Sequence, residues 1–297
     1  MRSLFASVIV LGSLLATSQA VRAQTTTPAY DPDATQRLVQ KLELWPELQG
    51  EVAFRNGDYL LLSVRGERNT TDVQSSRSLG FDTRRVSATY EHFWSPTWSW
   101  GGSLRYESDA RFEAGSGGDM LVPEVLLRHR SPIFGGLTFG QRLGVERQFY
   151  GIRRSLGGPG PDGQFWGRLR VDVERLFPLQ SDAAGFALRP RISYAASTHL
   201  RFQKDTGDPD ERTIQFTSLR GEVGVRLSSA IDVTPWVAYQ TQYSIALPQY
   251  QQDANGMMVQ VRGGRTNNVY PTLGLDFRFT LLPTGSKTDR QQLPTQH

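Results

Sequence analysis

Charged side chains recur at every second position in many short segments, and both signs occur together. The segments 168–174 and 220–226 show this spacing most plainly. The residues on this pattern are Arg65, Glu67, Arg85, Glu91, Arg105, Glu107, Glu124, Arg168, Arg170, Asp172, Glu174, Arg189, Arg191, Arg220, Glu222, Arg226, Asp276 and Arg278. Arginine and carboxylate groups on one face can pair into a packed network, or they can line a pore that selects small solutes.

Ser197 and His199 are the residues whose types and spacing come nearest to nucleophilic catalysis, which needs a nucleophile and a base within reach. His92 and His129 lie near short turns, and His297 lies in the C-terminal tail. We expect no catalytic residue in this chain. The alternative is an enzyme, namely a lipid hydrolase, deacylase or protease, that uses His199.

Metal and phosphate sites have little support in the sequence. The acidic run 205–211 lacks the ligand spacing of a helix–loop–helix calcium site, and a solvated loop is favoured. The glycine-rich segments 115–118 and 157–160 lead into no GK[ST] motif. The chain has no cysteine, which excludes disulfides and thiolate ligands. We expect neither a metal nor a cofactor.

The elements that position the charges are strands, because apolar and polar residues alternate with a period of two. The closing stretch 269–279 is eleven residues long, which matches the ~9–11 residues of a tilted strand that crosses a bilayer. Asn56-Gly57 between two such stretches is a strong hairpin signal. Ten further strand patterns precede the closing one, at 44–54, 59–67, 84–93, 98–107, 121–128, 137–145, 165–174, 188–197, 219–227 and 233–239.

The connections alternate between short and long, and aromatic residues gather at strand ends, as in an outer-membrane barrel. The sequence therefore predicts an all-β, transmembrane, antiparallel up-and-down β-barrel with short periplasmic turns and long extracellular loops. Because an even strand number is preferred, we expect about twelve strands, with ten as the alternative. An extra strand would begin at 37–41, or a hairpin would pair 243–247 with 257–261. A soluble β-sandwich is disfavoured by the charged face on nearly every strand.

The N-terminus carries the features of a secretory signal, with a basic start, an apolar run and small residues before a cleavage point. We expect residues 1–23 to be removed after Ala23, with Ala20 as the alternative site. A polar lead-in at 24–36, the barrel at 37–280 and a polar periplasmic tail at 281–297 follow. Cleavage would lower the formal net charge of +4 by two, because Arg2 and Arg22 are lost. Such weak basicity argues against nucleic acid as a partner.

The closing strand is similar to the assembly signal of bacterial outer-membrane proteins, a polar residue followed by glycine and two aromatics. These residues are Thr272, Gly274, Phe277 and Phe279. The resemblance implies recognition by the barrel-assembly machinery. The block 42–47, followed by the Asn56-Gly57 hairpin, resembles the start of domain-of-unknown-function family 2490, which brings no established activity.

These observations together predict a porin-like outer-membrane protein of a Gram-negative cell, either structural or a narrow passive channel. Its expected partners are outer-membrane lipid and lipopolysaccharide, with the barrel-assembly machinery during insertion. We expect it to be a monomer.

Overall fold

The computed structural model describes residues 34–70, 80–109, 118–151, 163–179, 185–201, 212–252 and 255–281. The expected signal peptide, the acidic run 205–211, the glycine-rich segments 115–117 and 157–160 and the tail from 282 lie outside these residues. The described residues fall into two compact units, 35–246 with 265–281, and 247–264. Within the described ranges, no helix has the length and apolar character needed to cross a membrane.

Strands dominate the described residues, as the two-residue period requires. A single short 3₁₀ turn, Phe134–Gly136, lies between two of them in this part of the chain. The strands are β1 Gln36–Val39, β2 Glu43–Ala53, β3 Tyr59–Asn69, β4 Thr83–Phe93, β5 Trp98–Asp109, β6 Asp119–Pro132, β7 Leu137–Tyr150, β8 Gly163–Arg175, β9 Phe177–Pro178, β10 Ala187–Leu200, β11 Phe216–Arg226, β12 Ile231–Gln252 and β13 Met258–Leu281.

The strands from β2 to β13, without the short β9, form one closed sheet in sequence order. The first and last strands of this ring close it by pairing in parallel, with Thr272 opposite Glu43 and Leu281 opposite Val52. The short strand β1 pairs with an earlier part of β13, also in parallel, with Gln36 opposite Thr266. The predicted all-β barrel is confirmed.

The described strands give a ring of eleven, which lies between the two numbers expected from the sequence. An even number follows only when the first and last strands are antiparallel. Here they run in the same direction, so an odd number closes the ring. Residues 37–39 belong to β1, which runs alongside β13 in parallel and adds no crossing to the ring. Residues 243–247 and 258–261 lie inside the long strands β12 and β13.

The predicted hairpin at Asn56-Gly57 is confirmed. Gly57 has a φ of 88°, a conformation that favours glycine, and Phe54 N–H donates to the Asp58 carbonyl over 2.8 Å. The short connections 94–97, 133–136 and 227–230 lie at the same end of the barrel as this turn, which we call the short-turn rim. The longer connections belong to the opposite end, the long-loop rim.

The two faces of the barrel wall have opposite polarity. On β10, for example, Arg191 is buried with 2% exposure, whereas its neighbour Ile192 is 64% exposed. Val125 on β6, which is 67% exposed, lies next to the buried Glu124 in the same way. The wall therefore encloses charges and presents apolar side chains to its surroundings, the reverse of a water-soluble domain.

Candidate functional site

The barrel interior contains the charged residues that the sequence pattern singled out. The structure buries Arg65, Glu91, Glu124, Arg170, Asp172, Glu174, Arg189, Arg191, Arg220, Glu222, Arg226, Asp276 and Arg278. It leaves Glu67, Arg85, Arg105, Glu107 and Arg168 half-buried. Since their apolar neighbours along each strand are exposed, these side chains all lie on the inner face of the wall.

A continuous series of ion pairs runs along the inner face near the long-loop rim, and we call it the first ion-pair chain. Its members in order are Glu47, Arg65, Glu67, Arg85, Glu107, Arg105, Glu146 and Arg168. Arg105 Nε approaches Glu107 Oε1 to 2.7 Å, and Arg85 Nε approaches the same oxygen to 2.8 Å. The chain therefore joins β2, β3, β4, β5, β7 and β8 through side chains alone.

A second ion-pair chain occupies another part of the interior. Its members in order are Arg130, Glu174, Arg191, Glu222, Arg220 and Asp276. Arg220 bridges two carboxylates, with Nε at 2.6 Å from Glu222 and Nη2 at 2.9 Å from Asp276. Asp276 also accepts a hydrogen bond of 2.8 Å from Trp236 Nε1. This second chain links β6, β8, β10, β11 and β13 from inside.

Further ion pairs lie elsewhere on the inner face. Arg128 lies 2.7 Å from Glu91, which also accepts a hydrogen bond of 2.5 Å from Ser99. Arg278 lies 3.1 Å from Glu51 across the parallel closure. Buried charges are costly unless they are paired and hydrogen-bonded, so this interior acts as a polar core in place of an apolar one.

Two tryptophans meet above Gly274, where β13 joins its neighbours. Trp45 and Trp236 contact each other edge to face at a ring distance of 5.9 Å. A Cβ atom at Gly274 would lie only 1.9 Å from the Trp236 ring, so glycine is the residue that leaves room for this indole. Arg65 and Arg220 stack over the two rings at 4.4 and 3.9 Å. We call these five residues the seam cluster.

Several interior residues were missing from the set inferred from the sequence. They include Glu47 and Glu51 on β2 and Arg142 and Glu146 on β7, all of which are buried. The same two-residue period marks them, because Leu48 and Leu143 on the same strands face outward. Trp45 and Trp236 carried no such signal, since an aromatic residue at an inward position interrupts the polar pattern.

The residues that resemble an assembly signal fall on both faces of β13. Thr272 and Gly274 point inward, where Thr272 Oγ1 accepts a hydrogen bond of 2.9 Å from Gln240. Phe277 and Phe279 are 40% and 48% exposed on the outer face. Interior packing under Trp236 is thus one physical reason for glycine at this position.

Ser197 and His199 make separate contacts. Ser197 Oγ accepts a hydrogen bond of 3.3 Å from Arg168 Nε. The imidazole of His199 stacks on Trp166 at a ring distance of 5.3 Å, and its Nδ1 accepts a hydrogen bond of 3.5 Å from Arg201. Ser197 and His199 are two residues apart on β10, which is about 7 Å along the strand, and each side chain contacts a different partner.

An aspartate and a histidine do meet at the short-turn rim. Asp58 Oδ1 lies 2.8 Å from His92 Nδ1, and the carboxylate also accepts hydrogen bonds from Tyr90 and Asn56. Burial by itself raises the pKa of the Asp58 carboxyl. The three hydrogen bonds and the charge of His92 outweigh burial, so this pKa lies below its ordinary value.

This cluster makes the acid stability of the barrel depend on Asp58. Since the pKa is depressed in the folded state, the Asp58 carboxylate stabilises the fold above the unfolded pKa, and this stabilisation is lost as pH falls through the folded pKa. We expect Asp58→Asn to weaken the fall in the gel-shift unfolding temperature between about pH 5 and pH 2. Tyr90→Phe, which removes one donor, should give an intermediate slope. Equal slopes in all three proteins would contradict this role.

In the part of the chain that the structure describes, no group of three or more His, Asp or Glu side chains is arranged to hold a metal ion. The candidate site therefore rests on the ion-pair chains and the seam cluster. In these groups, arginine and carboxylate side chains neutralise one another on the inner face of the barrel.

Comparison with known proteins assigns no family. No protein-family model matches the chain, and no curated protein matches it. Among solved structures, the chain is similar to one described as "NanC porin structure in rhombohedral crystal form". The two share 16% sequence identity with a TM-score of 0.36, over 77% of this chain and 90% of that chain. A likeness at this level carries no argument about function.

Proposed function

We propose that this chain is an outer-membrane β-barrel that spans the bilayer and is held closed by its interior ion pairs. The observation that carries the proposal is the reversed polarity of the wall, with buried charges inside and exposed apolar side chains outside. Exposed apolar bands of this extent are stable in hydrocarbon and costly in water.

The dimensions of the strands agree with a membrane location. β2, β3 and β4 are each 11 residues long, enough for a tilted strand to cross the hydrocarbon layer. At the short-turn rim, Trp94 stacks on Trp98, and both rings are exposed on the outer face. Indole rings favour the boundary between lipid and water. With a cleaved signal at 1–23, this arrangement favours the outer membrane of a Gram-negative cell.

The tight packing of the second ion-pair chain supports the proposed closed state. The side chains of Arg191 and Glu222 are each 1% exposed, and Arg220 is 2% exposed. Groups that line an open aqueous pore remain in contact with water. Side chains this inaccessible leave no room for a solute beside them. Their ion pairs also connect strands across the interior.

A narrow passive channel is the second candidate, and the first ion-pair chain favours it. The side chains of Arg85, Glu67 and Glu107 keep 19%, 16% and 14% of their surface accessible. Charges of both signs that contact water near one rim suit a narrow path for small ions.

The closed barrel makes a specific prediction for purified protein. It should fractionate with the outer membrane and migrate faster on gels before heating than after. In planar lipid bilayers it should give no unitary conductance, because the second ion-pair chain excludes solute. A soluble periplasmic product without a heat-dependent shift would refute the barrel assignment. Stable unitary currents would refute the closed state and support the narrow passive channel.

The matched control for conductance keeps the barrel and alters only the half-exposed pairs. The double variant Arg85→Gln, Glu107→Gln removes one charge of each sign and so preserves the net charge. If the variant gives no conductance and keeps its heat-dependent gel shift, closure depends on the second ion-pair chain. If the variant conducts, closure depends on the first ion-pair chain.

A further inference from the structure

A polar pocket lies on the outer face of the wall near the long-loop rim, where β11, β12 and β13 run side by side. It has a volume of about 430 Å³, within the range of pockets that bind small molecules. Its lining includes Arg212, Gln215, Thr217, Thr241, Tyr243 and Asn267. These polar side chains distinguish the pocket from the mostly apolar outer face around it.

The alternation along the strands places the two threonines of the pocket on the outer face. Thr217 lies two positions from Leu219 on β11, and Leu219 is 51% exposed. Thr241 lies two positions from the exposed Tyr239 on β12. Since residues two apart share a face, both threonines point outward. They are also directly opposite each other in the ladder between β11 and β12.

An arginine side chain covers one side of the pocket. On the inner face the hydroxyls of Ser244 and Thr266 lie 2.8 Å apart, so the adjacent Tyr243 and Asn267 lie close together on the outer face. Arg212 Nη1 donates a hydrogen bond of 3.1 Å to Asn267 Oδ1, and its guanidinium lies 5.8 Å from the Tyr243 ring centre. Because Arg212 precedes β11 and Asn267 lies on β13, the arginine side chain crosses the outer face of β12.

The pocket contains hydrogen-bonding groups that the protein itself does not use. The hydroxyls of Thr217, Thr241 and Tyr243 make no hydrogen bond to another residue that the structure describes. The tyrosine is only 9% exposed, and a phenol this deeply buried usually has a partner. Asn267 accepts from Arg212 through its oxygen, which leaves its amide nitrogen to donate.

The depth of the pocket matches the boundary between lipid and water. Thr241 lies ten residues beyond Ile231, the first residue of β12 at the short-turn rim. Ten residues extend ~33 Å along a strand, which at a tilt of ~40° is ~25 Å across the membrane. The apolar band of an outer-membrane barrel has this height, so the pocket lies where lipid headgroups begin.

We infer that this pocket binds a pyranose sugar, with its ring hydroxyls on Thr217, Thr241, Tyr243 and Asn267. Sugar hydroxyls both donate and accept hydrogen bonds, as do the hydroxyl groups of the pocket. An acyl chain would leave these polar groups without partners, which is unfavourable. The depth favours a sugar carried by a membrane lipid, and this part of the inference rests on the proposed membrane location.

The test uses the full chain purified in a detergent without sugar, with native mass spectrometry to count bound lipid. The probes are diacylglycerols that carry glucose, galactose or N-acetylglucosamine, and the same diacylglycerol without a sugar. Wild-type protein should retain one glycosylated lipid and release the diacylglycerol. Thr241→Val and Tyr243→Phe should each lower the bound fraction by roughly threefold to tenfold, the scale of one hydrogen bond. Both changes remove a hydroxyl and keep the shape of the side chain.

Two matched variants on β10 control for effects outside the pocket. Thr198→Val and Tyr194→Phe remove the same groups from outward positions of a strand that does not line the pocket. Both should retain the glycosylated lipid as wild-type protein does. Saturation-transfer NMR with the three methyl glycosides tests free sugars. Binding as tight as that of the lipids would support the sugar pocket and assign its ligand to the aqueous phase.

Several results would overturn the sugar pocket. They are equal retention of the diacylglycerol, equal loss in the two control variants, or no binding of any glycosylated lipid and any methyl glycoside. Heat-dependent gel mobility and outer-membrane fractionation are measured on all five proteins. If these persist while no sugar binds, the sugar pocket is wrong and the barrel assignment stands.

Discussion

Gly274→Ala should lower the stability of the barrel by about 3 kcal/mol, the upper range for an overpacked core. The new Cβ atom would lie 1.9 Å from Trp236 Cε2, a distance that forces something to move. The indole has little freedom to yield, because it donates a hydrogen bond to Asp276 and lies beneath Arg220. Its edge also contacts Trp45.

Urea unfolding in lipid vesicles, followed by tryptophan fluorescence, measures this loss. Gly221→Ala is the control, since its Cβ atom lies at an ordinary contact distance of 4.0 Å from Val237. Adding Trp236→Ala to Gly274→Ala should cost less than the sum of the two single changes, because the clash then disappears. Equal stability of Gly274→Ala and Gly221→Ala would disprove the role of this glycine in packing.

Glu222→Gln should destabilise the barrel by about 3–5 kcal/mol, the cost of leaving buried charges without their partner. Glu222 lies between Arg191 and Arg220, and the three side chains are no more than 2% exposed. Neutralising it therefore leaves excess positive charge where water does not reach.

The comparison with Glu107→Gln tests whether burial sets the size of this effect. Glu107 also pairs with two arginines, but its side chain is 14% exposed, so its loss should cost clearly less. The double variant Arg191→Met, Glu222→Leu should be more stable than Glu222→Gln, since it removes one excess charge. Equal losses for Glu222→Gln and Glu107→Gln would mean that solvent screens both positions alike.

The faces of the strands could be predicted because they depend only on local alternation. Arg191 is buried and its neighbour Ile192 is exposed. The period of two predicts these opposite faces from the sequence alone. The same rule assigns Glu47 and Glu146 to the interior, because their apolar neighbours Leu48 and Val145 face outward.

Closure and pairing could not be predicted, because they depend on contacts between distant residues. The predicted strand number of twelve came from an empirical preference for even-stranded barrels. No local sequence signal indicates the parallel pairing of Gly274 with Trp45. The partners of an interior arginine depend on register and tilt. Arg220, for example, binds Asp276 from a strand 56 residues away in sequence. The space above Gly274 likewise exists only once β12 and β2 flank β13.

Parallel closure has a topological consequence for a barrel that spans a membrane. β2 begins near the long-loop rim and β13 ends near the short-turn rim, because both run in the same direction. In the membrane location proposed above, the polypeptide would therefore enter the barrel from one compartment and leave it in the other. Even-stranded barrels have both ends on one side. Here an epitope placed before Glu43 and one placed after Leu281 would face opposite sides of the membrane, so the leading end must be carried across during insertion.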